Sequence, residues 1–508
     1  MNEKLSRYSV VLLLAALVFV FLAGDGPRII QYPPRSIHMF RQSDCFAYTK
    51  HYFQHKNSFF EPAAYNLIGK QGRVVSEFPV LYYFSARLCE LFGFHFAILR
   101  GVTLITYLLG LVYLFLIVRM YVKDVVLSLF PVVLLASTPV YFYYSVNFLP
   151  NVPAISFSIA GLYYLLLYRR TTRFRHMAVA ALYWILAVLL KPTDGGLLWV
   201  AGCAALVGGK DAAMHKWWRG WPFLTSVILV VACFVAWFLF VRYYNNVNGN
   251  QINLQGLYPI WEMDFDDAMI TFYYNIYQQW WSSYQHTAII MMAVLFLVVY
   301  VVKWTSLDVF LRRLTLLLIV GCLSYTPLWF KAFRHHDYYQ LIFVLPTVFL
   351  CITLCAYYER HLLPRAGKPV RVSVSLLLVG IMVLSVFHNQ YVQLERYSDV
   401  NRGYANTNIY EMEPYLRKIG VAASDPILSL PDNTPNVTLA AYGNYGWTSD
   451  LFSENTYGPE YCIAKGAKYM IVADSARLRD TMYSKYATEL VGKYKDIYVY
   501  RLSKDPIR

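Results

Sequence analysis

The chain has 508 residues, 58% of them hydrophobic and 15% charged, with a mean hydropathy of +0.39. A soluble chain is about half apolar and about a quarter charged, so this balance excludes a cytosolic enzyme and a disordered chain. The net charge of +15 would point to nucleic acid in a soluble protein. In a membrane protein it marks cytoplasmic connections instead, and no nucleic-acid partner is expected.

Uncharged runs long enough to cross or nearly cross a hydrocarbon core of ~30 Å recur along the chain, which also excludes a single-pass receptor. The first, 8–23, follows Lys4 and Arg7 and precedes Gly24-Asp25-Gly26-Pro27-Arg28. It lacks a small-residue cleavage site and reads as a retained helix. Further runs lie at 102–118, 125–141, 152–168, 177–190, 195–207, 221–240, 287–302, 311–328, 339–357 and 372–387. The expectation is about eleven transmembrane helices. If Lys4 and Arg7 are cytoplasmic, every second connection is too. Those connections carry Arg119 and Lys123; Arg169, Arg170, Arg173 and Arg175; Lys210, Lys216 and Arg219; Lys303, Arg312 and Arg313; and Arg360, Arg365, Lys368 and Arg371. All are basic, as the charge rule requires. The N-terminus is then cytoplasmic and the C-terminal region outside.

The domain expectation follows. Residues 1–390 form a transmembrane module with long outer loops 25–100 and 242–286, and 391–508 form a small α/β domain outside the membrane. In the tail, 426–430, 469–473 and 496–502 read as strands, and 409–419 and 460–465 as helices. Eight cysteines are spread thinly. Cys351 and Cys355 are one turn apart, but thiols in apolar runs are packing residues far more often than metal ligands. Cys45, Cys89 and Cys462 are free to form a bridge outside, though their spacing does not require one.

Polar clusters gather in the outer segments. In Phe40-Arg-Gln-Ser-Asp44, Ser43 reads as a helix cap with Asp44 in the first turn, followed by an aromatic face. Asp44 either serves chemistry or complements the helix dipole and pairs with Arg41. Glu77, in Val75-Ser-Glu-Phe-Pro-Val80, is either functional or an ordinary interfacial carboxylate. Lys191-Pro-Thr-Asp-Gly-Gly196 places a lysine at an outer helix end against the charge rule, so it needs a partner such as Asp194 or a lipid phosphate. Arg334-His-His-Asp-Tyr-Tyr339 is the densest cluster. Arg334 offers a fork suited to phosphate, and His335 and His336 suit a phosphate or a metal; the plain alternative is a snorkelling arginine beside an aromatic belt. His51 and His55 read as a solvated face. The stretch 273–284 reads as an interfacial helix. Asn436-Val-Thr438 matches the glycosylation triplet, which matters only in a eukaryotic secretory setting.

These motifs, with Asn147-Phe-Leu-Pro-Asn-Val-Pro153, Asp432-Asn-Thr-Pro-Asn436 and Gly446-Trp-Thr448, resemble the GT-C superfamily of integral membrane glycosyltransferases. The likeness is to the bacterial branch similar to protein O-mannosyltransferases and lipid A aminoarabinose transferases. The resemblance implies a polytopic α-helical membrane protein, GT-C-like, with a small C-terminal α/β periplasmic domain, in a bacterial inner membrane. It implies transfer of a hexosyl or pentosyl group, with inversion, from a polyprenyl-phosphate carrier to a glycan, lipid or protein acceptor on the periplasmic face. On that basis Asp44 is the base and Glu77 positions substrate or metal. Lys191, Arg334, His335 and His336 hold the donor phosphate, with Arg41, Asp194 and Asp337 supporting. A divalent metal is compatible, but the sequence requires no cofactor, because Tyr144-Ser-Val-Asn147 supplies none of the acid that some relatives place there. Two other functions fit the pattern: an outer-face glycan polymerase or ligase using a diphosphate-linked donor, and a non-catalytic transporter.

Overall fold

The computed structural model describes residues 3–207, 220–250, 256–398, 406–449 and 458–503, with side chains in the first helix from residue 8 onward. Lys4 and Arg7 as side chains, and Lys210, Lys216 and Arg219 entirely, lie outside the described residues. The chain divides into two compact units. The first comprises 1–30, 100–237 and 256–395, and the second 31–99, 238–255 and 396–508.

The first unit is helical. By length and composition, six helices can span a membrane alone: Phe96–Arg119, Asn151–Thr171, Trp221–Val247, Val309–Phe333, Asp337–Arg365 and Lys368–Ser398. Two further pairs reach that length only when joined across a bend. Val125–Ala136 meets Pro139–Ser145 at 69°, and Phe265–Tyr284 meets Thr287–Val302 at 105°. Six spans, or eight with the bent pairs, therefore stand where eleven were expected. Eleven is reached only if the shorter apolar helices Tyr8–Ala23, Phe174–Leu190 and Pro192–Val207 cross as well.

Proline sets the breaks. Thr138 is extended before Pro139 and Lys191 before Pro192, as the steric clash of a proline ring with the preceding residue dictates. Each proline then occupies the first helical position, where its missing N–H costs nothing. Helices Asn151–Thr171, Phe174–Leu190 and Pro192–Val207 pack on one another, and the last also packs on Val309–Phe333. Buried hydroxyl pairs join neighbouring helices, Thr315 with Thr353 at 3.0 Å and Ser137 with Ser385 at 2.6 Å.

The stretch expected as an interfacial helix is more irregular. A short α-helix, Phe265–Ile270, passes into π-helical turns over Thr271–Gln278 and Trp280–Tyr284. Most of its aromatic rings are exposed.

The second unit is built on a five-stranded sheet of order β2-β1-β3-β5-β4. Its strands are β1 Ile427–Leu430, β2 Gly446–Thr448, β3 Tyr469–Val472, β4 Ala487–Tyr494 and β5 Ile497–Leu502. β1 pairs parallel with β2 and β3; β5 is antiparallel to β3 and β4. The central strands β1 and β3 are buried throughout, as parallel strands covered on both faces are. Three strands match the sequence expectation; β2 and β4 were not anticipated.

The loop 31–99 packs on this sheet. Leu67 N donates to Gly446 O at 2.8 Å and Gly446 N to Tyr65 O at 3.0 Å, so residues 65–67 extend the β2 edge. Gly446 is obligatory, since a Cβ there would lie 1.9 Å from Ile427 O. All eight cysteines are free thiols.

Candidate active site

In the second unit, helix Met39–His55 begins four residues before Ser43, at a left-handed His38 with φ of 55°. Ser43 is therefore not its cap, and Asp44 lies in the second turn. Arg41, one turn before Asp44, forms ion pairs with both acids, at 3.5 Å to Asp44 and in direct contact with Glu77. Glu77 is buried and accepts from the Ser76 hydroxyl. Asn436 donates to Asp44 Oδ1 at 2.9 Å, and Asn66 donates to Asn436 Oδ1 at 2.8 Å, fixing the orientation of that amide.

Asp44 keeps 29% of its side-chain surface exposed, yet the protein around it excludes enough water to raise its pKa. The Arg41 charge, then the hydrogen bonds from Asn436 and Arg41, oppose that rise. The outcome is a half-buried carboxyl with more proton affinity than a free aspartate, in a cluster with one cation and two acids. Such a group suits proton removal at neutral pH.

The same helix carries two features that its sequence did not disclose. Lys50 is buried, with its ammonium 2.6 Å from Glu413 and donating to Ala440 O at 2.7 Å and Ala441 O at 3.1 Å. His51 is also buried rather than solvated. Its Nε2 lies 2.7 Å from the Tyr445 hydroxyl and its ring stacks on His55 at 4.3 Å. Only His55 matches the solvated face expected for the pair.

In the first unit, the break at Lys191 and the turn 334–339 come together. Lys191 is over the rings of Tyr339 at 4.7 Å and Tyr338 at 5.9 Å. Among the described residues it forms no ion pair within 4 Å; the expected pairing with Asp194 is not made. Asp194 instead accepts from Asn151 at 3.0 Å and Thr193 at 3.1 Å, and its second oxygen is buried without a partner. The reason is local. Lys191 is extended before Pro192, whereas Asp194 lies inside the first turn of the next helix, where Asn151 and Thr193 meet its carboxylate.

Asp337 is buried, accepts from the Tyr144 hydroxyl, and offers its carbonyl to Tyr284 at 2.6 Å. Arg334 pairs with Asp267 at 2.6 Å, both half-exposed, and its carbonyl accepts from Asn275 at 3.0 Å. His336 stacks on Tyr338 at 5.1 Å and lies 6.4 Å from His335, ring to ring. The result is an ammonium on an aromatic floor and, on the same turn as those tyrosines, an arginine whose charge a half-exposed acid shares. That arrangement can receive an anion.

Sequence reasoning missed Asn436 and Asn66 beside Asp44, Asp267 beside Arg334, and the tyrosines that hold Asp337. Asn151 and Asn436 do fall inside the Asn147–Pro153 and Asp432–Asn436 motifs, which was the available signal. Among the described residues no group of three His, Cys, Asp or Glu side chains is arranged to hold a metal ion.

Residues 76–240 match the family described as dolichyl-phosphate-mannose-protein mannosyltransferase. That range includes Glu77, Lys191 and Asp194. Among curated proteins, none matches this chain. Solved structures match over nearly its whole length. ArnT from Cupriavidus metallidurans bound to undecaprenyl phosphate is 12% identical, with 97% of each chain covered and a TM-score of 0.58. The oligosaccharyltransferase AglB from Archaeoglobus fulgidus, in complex with an inhibitory peptide and a dolichol-phosphate, is 11% identical. That match covers 94% of this chain and 70% of the other, with a TM-score of 0.56. The arabinofuranosyltransferase AftD from Mycobacteria is 14% identical over 98% of this chain and 40% of its own, with a TM-score of 0.56. These matches and the span-length helices make the chain a multi-pass membrane protein with the GT-C fold of integral membrane glycosyltransferases.

Proposed function

We propose that this protein transfers a sugar from a polyprenyl-phosphate carrier to an acceptor hydroxyl on the outer face of a bacterial inner membrane. The fold supports the class of chemistry, and the ArnT structure holds a polyprenyl phosphate. The observation that carries the assignment is the Asp44 cluster, a carboxyl raised in proton affinity by burial and oriented by Arg41 and Asn436.

In this reaction Asp44 takes the proton from the acceptor hydroxyl as that oxygen bonds to the anomeric carbon. The bond from that carbon to the phosphate oxygen breaks on the opposite side, which inverts the configuration. The departing phosphate is already ionised and needs no proton. We assign the binding of the donor phosphate to Lys191, Arg334, His335 and His336 of the first unit. Glu77 holds Arg41 in place. The basic connections support a cytoplasmic N-terminus and a periplasmic sheet, with the eleven apolar helices of the sequence reading crossing the bilayer in this proposal. A lipid-borne donor accounts for a phosphate-receiving ammonium at the end of an apolar helix.

The test uses purified protein with a polyprenyl-phosphate sugar. Asp44→Asn should fold with an unchanged melting temperature and lose transfer by a factor of at least about 10². Wild-type turnover in that variant would remove Asp44 as the base.

A further inference from the structure

The first unit contains a second arrangement that the transferase chemistry does not use. An apolar groove of about 160 Å3 runs between three helices. Glu3–Ala23 lines it with Ala16 and Val20, Val125–Ala136 with Leu129 and Val133, and Lys368–Ser398 with Met382 and Val386. All nine of its lining residues are apolar, and it opens on the outer face of the helices.

One turn beyond the groove, each helix changes character. Val20 is followed at four residues by Gly24, Val133 by Ser137, and Val386 at three and seven residues by Asn389 and Gln393. These positions meet. Ser137 bonds Ser385, Gln393 Nε2 donates to Pro139 O at 2.9 Å, and Gln285 Nε2 donates to Thr138 Oγ1 at 2.8 Å. The ring of His388 lies 5.3 Å from that of His286. Gly24 lies against this end: a Cβ there would meet the Phe142 ring at 2.5 Å and Asn389 Nδ2 at 3.1 Å.

The polar atoms at this end are not satisfied. Gln285 Oε1, His388 Nε2, Asn389 Nδ2 and Gln393 Oε1 have no hydrogen-bond partner among the described residues. Asn389 is fully buried, Gln393 1% exposed and Gln285 7%. Buried polar groups are ordinarily paired, and four orphans about one helical turn beyond an apolar groove point to a ligand with both parts.

We propose that this is a lipid-binding site, with a hydrocarbon chain in the groove and a neutral, hydroxyl-rich headgroup at the amide cluster. The cluster presents both acceptors and a donor, the complement of hydroxyls, which do both. The orphaned atoms are three carboxamide atoms and one imidazole nitrogen, and none belongs to a guanidinium or ammonium group. This inference goes beyond the transferase reading and does not depend on it.

The test uses the full chain in lipid nanodiscs and two probes with the same diazirine-bearing acyl chain, glucosyl-diacylglycerol and phosphatidylglycerol. Photolabelling by the glucosyl lipid should map to the three groove helices and exceed that by phosphatidylglycerol about tenfold, the equivalent of ~1.4 kcal/mol. Val383→Phe narrows the groove at a half-exposed position and should cut labelling by a similar factor without unfolding the protein. Asn389→Leu with Gln393→Leu should abolish the headgroup preference. Equal labelling by both probes, labelling spread over all lipid-facing helices, or labelling indifferent to Val383→Phe would each overturn the proposal.

Discussion

Asn436 donates a 2.9 Å hydrogen bond to Asp44, a residue 392 positions earlier in the chain. The bond favours the ionised carboxylate, as does the larger effect of the Arg41 charge. Removing either raises the proton affinity of Asp44 further. With Asp44 as base, Asn436→Ala should move the acidic limb of the pH–rate profile to higher pH, and Arg41→Gln should move it further. A profile unchanged in both variants would mean that another group accepts the proton.

Lys50 is the buried cation that ties helix Met39–His55 to the segment after β1. Lys50→Met leaves the Ala440 and Ala441 carbonyls without that donor, while Glu413 keeps Gln54 at 2.8 Å and Arg417 at 3.9 Å. The expected loss is that of buried acceptors left unmet, about 1–3 kcal/mol. Thermal unfolding of the purified variant measures it; a melting temperature equal to that of the wild type would contradict the ion pair.

Burial, aided by the neighbouring His55, pushes the His51 pKa down to about 3. In the unfolded chain the same imidazole titrates near 6.5. The unfolded state therefore takes up the proton first as pH falls. The stability that neutral His51 supplies is intact above about 6.5 and declines towards 3, by at most about 1.4 kcal/mol per pH unit. His51→Asn should flatten the fall in melting temperature between pH 6.5 and pH 4. An identical slope in wild type and variant would place the sensitivity elsewhere.

Tyr144→Phe removes the hydroxyl whose hydrogen bond the buried Asp337 carboxylate accepts. The expected cost is about 1–3 kcal/mol, read as a drop in melting temperature, and Tyr144→Phe combined with Asp337→Leu should cost less than the two single changes added together. Strict additivity would show that the two side chains do not act as a pair.

The sequence disclosed what depends on local pattern. Three buried strands of the tail appear as short apolar runs, and most spans appear as long ones. β2 is only Gly446-Trp-Thr448, too short to form a run, and β4 alternates weakly because it lies at the sheet edge with much of its surface exposed. Ser43 was a sound cap by composition. The helix starts earlier because His38 takes a left-handed turn that no local preference announces. Lys50 and His51 looked solvated because their partners, Glu413 and Tyr445, lie more than 350 residues away along the chain. Asp44, Glu77 and Arg41 were legible as a set because the loop that carries them is short enough for their chemistry to be compared directly. Asp194 and Lys191, three residues apart, appeared to be natural partners, but Pro192 opens a new helix between them and the carboxylate accepts from Asn151 and Thr193 instead.

The second unit is assembled from chain segments that leave the ribosome at widely separated times. Met39–His55 is made early, whereas Glu413, Asn436, Tyr445 and the sheet arrive with the final portion of synthesis. Until then, the lysine has no counter-ion and the acid no amide to orient it. A polypeptide that stops before residue 413 carries neither the acid that pairs with Lys50 nor the amide that orients Asp44.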